Sequence, residues 1–249
     1  MTEVHVRPLG TLPEVQPGDD LAALLAAAGA QALGGGDVLV VAHKVVSKAE
    51  RASGVLDEVR PGPRARELAG RLATDPRHVQ VVLDQSAAVL RAERGVLICR
   101  THHGFVCANA GVDASNAAPG TVICLPRDPD ASARALRADL RVHLGAAPAV
   151  VITDSFGRAW RHGQADVAIG LAGLAPLEDW RGRTDAGGRE LRATWIAVAD
   201  QAAAAADLVR TKDAGRPAAV VRGLERHVTA DDGPGAAALV RPASEDLFT

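Results

Sequence analysis

The run Val150-Val151-Ile152, followed without a break by Thr153-Asp-Ser-Phe-Gly-Arg-Ala-Trp-Arg-His-Gly-Gln164, constrains this chain more than any other stretch. Three consecutive β-branched residues read as a buried strand, and the segment after them hangs a carboxylate, a hydroxyl and two arginines from its end. In α/β sheets, ligands settle beyond the carboxyl ends of such strands. The fold must therefore close around an apolar strand while leaving its polar end open. Asn109-Ala-Gly-Val-Asp-Ala-Ser-Asn116 offers a second carboxylate, Asp113, flanked by two amides in a glycine-containing turn. Two carboxylates with a cluster of arginines suit a metal ion and phosphates.

Lysine usage sharpens that reading. The only lysines are Lys44, Lys48 and Lys212, and two of them fall in His43-Lys-Val-Val-Ser-Lys-Ala-Glu50, directly after the apolar run Asp37-Val-Leu-Val-Val-Ala42. A chain that otherwise relies on arginine keeps lysine where a strand ends, and there it is a compact point charge suited to a phosphate. The bland alternative is an exposed turn lysine without a role. With 249 residues, 47% of them hydrophobic, the chain can bury a full core as one large domain or two intimately packed ones. A formal charge of −2 leaves no basic footprint for nucleic acid. Cys99, Cys107 and Cys124 lack metal-ligand spacing and leave an odd one over, so they read as free thiols in a reducing compartment. The absence of an apolar signal region or a membrane-length apolar run predicts a cytoplasmic protein without a membrane partner.

The element pattern is α+β or α/β. Asp19-Asp20 open an Ala/Leu-rich helix to about Ala30, and Gly34-Gly-Gly36 leads into the Asp37 strand. Two helices begin at prolines, Pro61 to Ala73 and Pro76 to Gln85. Ala87 to Cys124 alternates short apolar segments with turns, as a β meander carrying the Asp113 loop does. Asp128-Pro129-Asp130 supplies a cap, a first-turn proline and a first-turn acid; Ala133, Leu136, Leu140 and Leu144 share one face, and Gly145 stops the helix. Later strands are expected at Ala165 to Leu174, Glu190 to Ala199 and Pro217 to Val221, with a helix from Asp200 to Arg210. No P-loop, no dinucleotide-binding glycine motif and no Gly-x-Ser-x-Gly elbow is present. His102-His103 lacks zinc-site spacing, so any nucleotide must be held by a scattered site.

Taken in order, Leu12-Pro13, Gly18-Asp-Asp20, Val45-Val-Ser-Lys-Ala-Glu50, Asn109-Ala-Gly-Val-Asp-Ala-Ser-Asn116, Asp128-Pro-Asp-Ala-Ser132, Thr153-Asp-Ser-Phe-Gly-Arg158, Trp160-Arg161, Gly163-Gln164, Asp166-Val-Ala-Ile-Gly170, Gly188-Arg-Glu-Leu191 and Val220-Val-Arg-Gly223 resemble the coenzyme F420-0:L-glutamate ligases, the γ-glutamyl ligases of deazaflavin biosynthesis. The likeness runs from Pro8 to Phe248. It implies an unusual α+β fold of mixed, largely antiparallel sheets with packed helices, acting as a single functional unit and a homodimer. It also implies GTP-dependent amide synthesis with Mg²⁺ or Mn²⁺, and with K⁺ as a further ion. An acyl phosphate of coenzyme F420-0 would be displaced by the amine of L-glutamate, and repetition on the new γ-carboxylate would build a poly-γ-glutamate tail.

Carried over residue by residue, Asp113 and Asp154 stand at the family's metal-binding acids, Ser155 at a hydroxyl ligand and Asn116 at a nucleotide contact. Lys48 stands at the nucleotide-binding lysine and is taken with the two acids as catalytic. Leu12, Pro13, Glu14 and Val15 match a segment whose backbone touches the guanine nucleotide. There are also departures. His43-Lys44 takes the place of a small hydroxyl residue and its neighbour in a nucleotide contact, and Arg51 replaces a glycine. Val209-Arg210-Thr211-Lys212-Asp-Ala-Gly215 replaces a more glycine-rich nucleotide loop with a Gln or Glu metal ligand, so that Thr211, a weaker donor, falls at that ligand position.

Placement and charge alone suggest Arg158, Arg161 and Arg222 for substrate phosphodiester or carboxylates, and Trp160 or Trp180 for stacking on a flat deazaflavin, with core or dimer packing as the alternative for the tryptophans. Another GTP-dependent carboxylate–amine ligase or kinase, or a non-catalytic deazaflavin-binding module, are the rival readings. The ending Ser244-Glu-Asp-Leu-Phe-Thr249 resembles both the terminus of a free-standing ligase and the junction to a nitroreductase-like domain.

Overall fold

A computed structural model of the chain describes residues 3–246, so Leu247, Phe248 and Thr249 of that ending lie outside the described residues. In chain order the strands are β1 (His5–Pro8), β2 (Val38–Ala42), β3 (Ser53–Val55), β4 (Ser86–Glu93), β5 (Val96–Thr101), β6 (Val106–Ala108), β7 (Thr121–Ile123), β8 (Ala149–Arg158), β9 (Arg161–Ala172), β10 (Glu178–Asp179), β11 (Trp195–Ile196) and β12 (Ala218–Arg222). The helices are α1 (Leu21–Ala27), α2 (His43–Ala49), α3 (Pro63–Leu72), α4 (Pro76–Asp84), α5 (Pro129–Leu144) and α6 (Val198–Asp207).

The main sheet has the order β1-β12-β2-β8-β9. Among the described residues only β2 and β8 run parallel; the other strand pairs are antiparallel, which gives the mixed, largely antiparallel α+β architecture expected. The runs in β2, β8 and β12 are apolar without alternation because both faces of the sheet are covered. Leu39, Val41, Val150 and Ile152 pack with α1 and α5 on one face. Val38, Val40, Val151 and Val221 pack with the alanines of α6 on the other. Each fully buried valine or leucine contributes about 1.5–3 kcal/mol, so these two layers are the main source of stability. A third cluster joins α3 and α4 to β5 and β7.

α5 keeps its sequence-expected bounds: Asp128 accepts from the Ala131 amide, and Gly145 closes the helix at φ 68°. Gly170 on β9 is required by close approach, since a Cβ there would overlap the Pro129 carbonyl at the start of α5.

Four expectations change. Thr153–Arg158 is not a loop at a strand end: β8 continues through it and forms a hairpin with β9, which starts at Arg161 instead of Ala165. His43–Ala49 is helix α2, where the lysine window was read as a strand end. The expected strand from Glu190 to Ala199 shrinks to Trp195–Ile196. Its earlier part folds around Asp185, which accepts from the amides of Gly187 and Arg189, and its last residues join α6. α6 starts at Val198 and ends at Asp207, leaving Arg210 in the following loop.

Candidate functional site

The carboxyl ends of the parallel pair β2 and β8 open into a cleft of about 700 Å³. Its walls come from Leu12–Val15, the start of α2, the Asp113–Asn116 loop, Thr153–Ser155 on β8, and the loop from Arg210 to Pro217. Backbone bonds tie the lips together: the Leu12 amide donates to the Gly215 carbonyl, and the Ala42 amide to Pro217.

α2 explains the lysines. Residues four apart share a helix face, and Lys44 and Lys48 both line the cleft. Lys44 Nζ donates to Asp113 Oδ2 and to Ser115 Oγ, each at 2.5 Å. Lys48 Nζ donates to Glu14 Oε1 at 2.6 Å, a carboxylate that is itself 70% exposed on the lip. An exposed partner of this kind is exchanged for an incoming anion at little cost.

The two carboxylates singled out in the sequence, Asp113 and Asp154, line this one cleft. Asp113 sits beyond a tight turn in which Asn109 and Ala110 adopt left-handed backbone, bridged to Ile123. Burial opposes its ionisation, but hydrogen bonds from Lys44, the Ser115 amide and the Ser115 hydroxyl outweigh it and hold the carboxyl below the usual carboxylate range. Asn116, also left-handed, lines the cleft beside it. Asp154 accepts from the Ser155 amide and lies 3.3 Å from His43 Nε2. Its charge, after burial itself, helps push the Cys107 thiol up to about 12.

Strand alternation sends Thr153 and Ser155 to the face opposite Asp154. There both hydroxyls donate to Asp166 of β9, at 2.8 and 2.6 Å. Asp166 is buried and also receives Arg210 Nη2 at 2.5 Å. Lys212 Nζ reaches Ser155 Oγ at 2.8 Å and Asp207 at 3.1 Å. Asp166, Ser115, Asp207 and Gln164 were not among the sequence-derived candidates. Ser115 had a local signal, two residues after an aspartate in a turn. Asp166 stood in the quoted segment Asp166-Val-Ala-Ile-Gly170, but nothing gave it a role before the β8–β9 register was known.

Other candidates fall elsewhere. Arg210 lines the cleft but is spent on Asp166, and Val209 packs toward the α6 core. Thr211, Lys212 and Gly215 line the cleft. Arg158, Trp160 and Arg161 sit at the β8–β9 hairpin tip, outside the cleft lining, where Arg158 donates to the His162 carbonyl. Arg222 is corrected outright. It ends β12, which runs antiparallel to β2, so it stands at the end of the strands opposite the cleft and pairs with Asp37 at 3.0 Å. Trp180 lies outside the cleft lining and stacks under Arg183, 4.8 Å from the ring centre.

Three lysines and several hydroxyls therefore face carboxylates across one cleft at the end of a parallel strand pair, an α+β arrangement suited to anionic, phosphate-bearing ligands. The family model of F420-0:gamma-glutamyl ligase matches residues 10–223. The chain is 47% identical over 247 residues to the coenzyme F420:L-glutamate ligase of Methanopyrus kandleri, covering 98% of this chain and 97% of that one. It is 42% identical to the enzyme of the same name from Methanothermobacter thermautotrophicus, over 95% of both chains, and 44% identical to that of Halobacterium salinarum, over 89% and 88%. The chain belongs to the F420-0:gamma-glutamyl ligase family and is a ligase. No helix among the described residues is long and apolar enough to cross a membrane.

Proposed function

We propose that the protein joins L-glutamate to coenzyme F420-0 in an amide bond driven by GTP, and extends the product through γ-linkages. The observation that carries this reading is the convergence of all three lysines of the chain on the cleft that holds Asp113 and Asp154. In the first step a carboxylate oxygen of the acceptor attacks the γ-phosphorus, the bond to the bridging oxygen breaks, and GDP leaves. In the second, the glutamate amine attacks the acyl carbon, the bond to phosphate breaks, and an amide, inorganic phosphate and a proton are released. Such transfers depend on positioning and charge neutralisation, which Lys44 and Lys48 on one face of α2 and Lys212 on the loop after α6 supply.

The donor set fits a hard divalent ion. Asp113, Asp154 and Thr211 offer only oxygen, whereas Ser155, expected as a hydroxyl ligand, is turned to the opposite face of β8 and bonded to Asp166; among the described residues no group of three or more His, Cys, Asp or Glu could hold a metal ion. Two carboxylates completed by water and phosphate oxygens is the usual arrangement for Mg²⁺ and is open to Mn²⁺. Bound there, the ion would neutralise developing phosphate charge. The Ser155 hydroxyl donates to Asp166 and its oxygen accepts from Lys212, so it holds the Lys212 ammonium at the cleft.

Incubation with coenzyme F420-0, L-glutamate, GTP and Mg²⁺ or Mn²⁺, followed by mass spectrometry, tests the reading. The expected product is a ladder of glutamate additions that requires both GTP and metal. No addition, or equal addition with ATP, would overturn the corresponding part.

A further inference from the structure

His43 is 2% exposed, the most buried charged or ionisable side chain at the cleft, and nothing above gives its ring a task. It occupies the first turn of α2, and the register that pairs Ala42 with Thr153 sets it level with Asp154 on the neighbouring parallel strand. Nδ1 lies 3.3 Å from Ser47 Oγ one turn along the helix. Nε2 is sealed from solvent, has no aligned hydrogen-bond partner, and lies 3.3 Å from Asp154 Oδ1.

A ring so buried cannot present its side chain to a nucleotide. A neutral imidazole carries one proton. Were it on Nδ1, the Nε2 lone pair would face the lone pairs of a carboxylate. With Ser47 donating to Nδ1, the proton falls on Nε2, and Asp154 becomes the acceptor within reach. At 3.3 Å the pair is in electrostatic contact without the alignment of a hydrogen bond.

We infer that His43 is a positioning residue: its Nε2–H fixes the Asp154 carboxylate in the orientation that receives the divalent ion, and Ser47 holds the ring for that purpose. The inference rests on the metal reading of Asp154 given above. Hydrogen bonds behind a metal-ligating carboxylate are typically worth 10- to 100-fold in metal affinity.

The test is Mn²⁺ binding to the GDP-loaded protein, followed by the electron paramagnetic resonance signal of the free ion, without turnover. His43→Leu should weaken Mn²⁺ about tenfold while GDP affinity without metal stays unchanged. His43→Gln, which keeps an N–H donor, should recover most of the loss. Ser47→Ala, a small change that keeps the imidazole but removes the hydroxyl that sets its tautomer, should weaken Mn²⁺ by a lesser factor and serves if His43→Leu does not fold. Asp154→Asn is the reference. If it leaves Mn²⁺ binding intact, the metal reading fails. If it abolishes binding while His43→Leu, or Ser47→Ala in its stead, binds as wild type, the role of His43 alone is overturned. An equal loss of metal-free GDP binding in His43→Leu would overturn it as well.

Discussion

Two arginines are almost equally buried, Arg137 at 7% and Arg210 at 6%, yet their surroundings differ in kind. Arg137 on α5 is met chiefly by main chain: the carbonyls of Pro148, Thr229 and Asp231, with Asp232 added at 2.8 Å. It clamps the segment after β12 to the sheet. Arg210 is met chiefly by side chains, Asp166 and Thr153, plus the Pro217 carbonyl, and its Nε has no partner. The groups answering Arg137 lie outside the cleft lining. Of those answering Arg210, Asp166 also holds Ser155 at the cleft. A buried charge satisfied by main chain serves the fold, whereas one satisfied by side chains and left incomplete marks a working site.

The largest effect that would sharpen this contrast lies in the cleft. Asp154→Asn should lower kcat/KM on the order of 10³-fold while the melting temperature stays near wild type; steady-state rates and thermal melts check both, and a stable, fully active variant would break the contrast. Arg137→Ala should do the reverse. It strips a buried set of acceptors and costs about 3–5 kcal/mol by denaturant titration, with kcat/KM of the folded protein unchanged. Arg210→Met should register on both scales. It should lower the unfolding free energy by about 2 kcal/mol, less than for a fully orphaned buried charge because Thr153, Ser155 and Lys212 stay near Asp166, and turnover should fall about tenfold.

The smallest effect concerns pH. Asp113 titrates below its unfolded value, so its contribution to stability is present above about pH 4 and is lost as pH falls through the lower folded value. Lys44→Met removes the chief hydrogen bond that lowers it and should move the acid unfolding limb to higher pH. Because Asp113 is 45% exposed, the change should be under about 1 kcal/mol.

Much of this was legible in the chain. α5 could be read because its cap, proline and glycine are local signals, and β2, β8 and β12 because a sheet covered on both faces leaves an unbroken apolar run. α2 could not: it follows β2 directly, its cap residue Ala42 makes no side-chain bond, and Val45-Val46 favours strand on propensity. Packing decides it, through buried Val46 and Ser47. The polar length of β8 reads in sequence as groups beyond the strand's end because pairing with β9, not apolar content, makes it a strand. Chemistry picked out Asp113, Asp154 and Lys48, but Asp166 and the misplacement of Arg222 depend on register and strand direction, which residue types do not encode.

The alternation along β8 places different kinds of sequence change on unequal footing. Asp154 serves one face of the sheet while Thr153 and Ser155 serve the other. Losing or gaining a single residue between Val150 and Thr153 would exchange the two sets, turning the carboxylate toward Asp166 and the hydroxyls toward α2. Point substitutions can be tried one at a time along this strand, but its length is fixed. Lineages of this protein should therefore exchange apolar residues at Val150–Ile152 and keep Asp154, while admitting no insertions or deletions across Val150–Ser155.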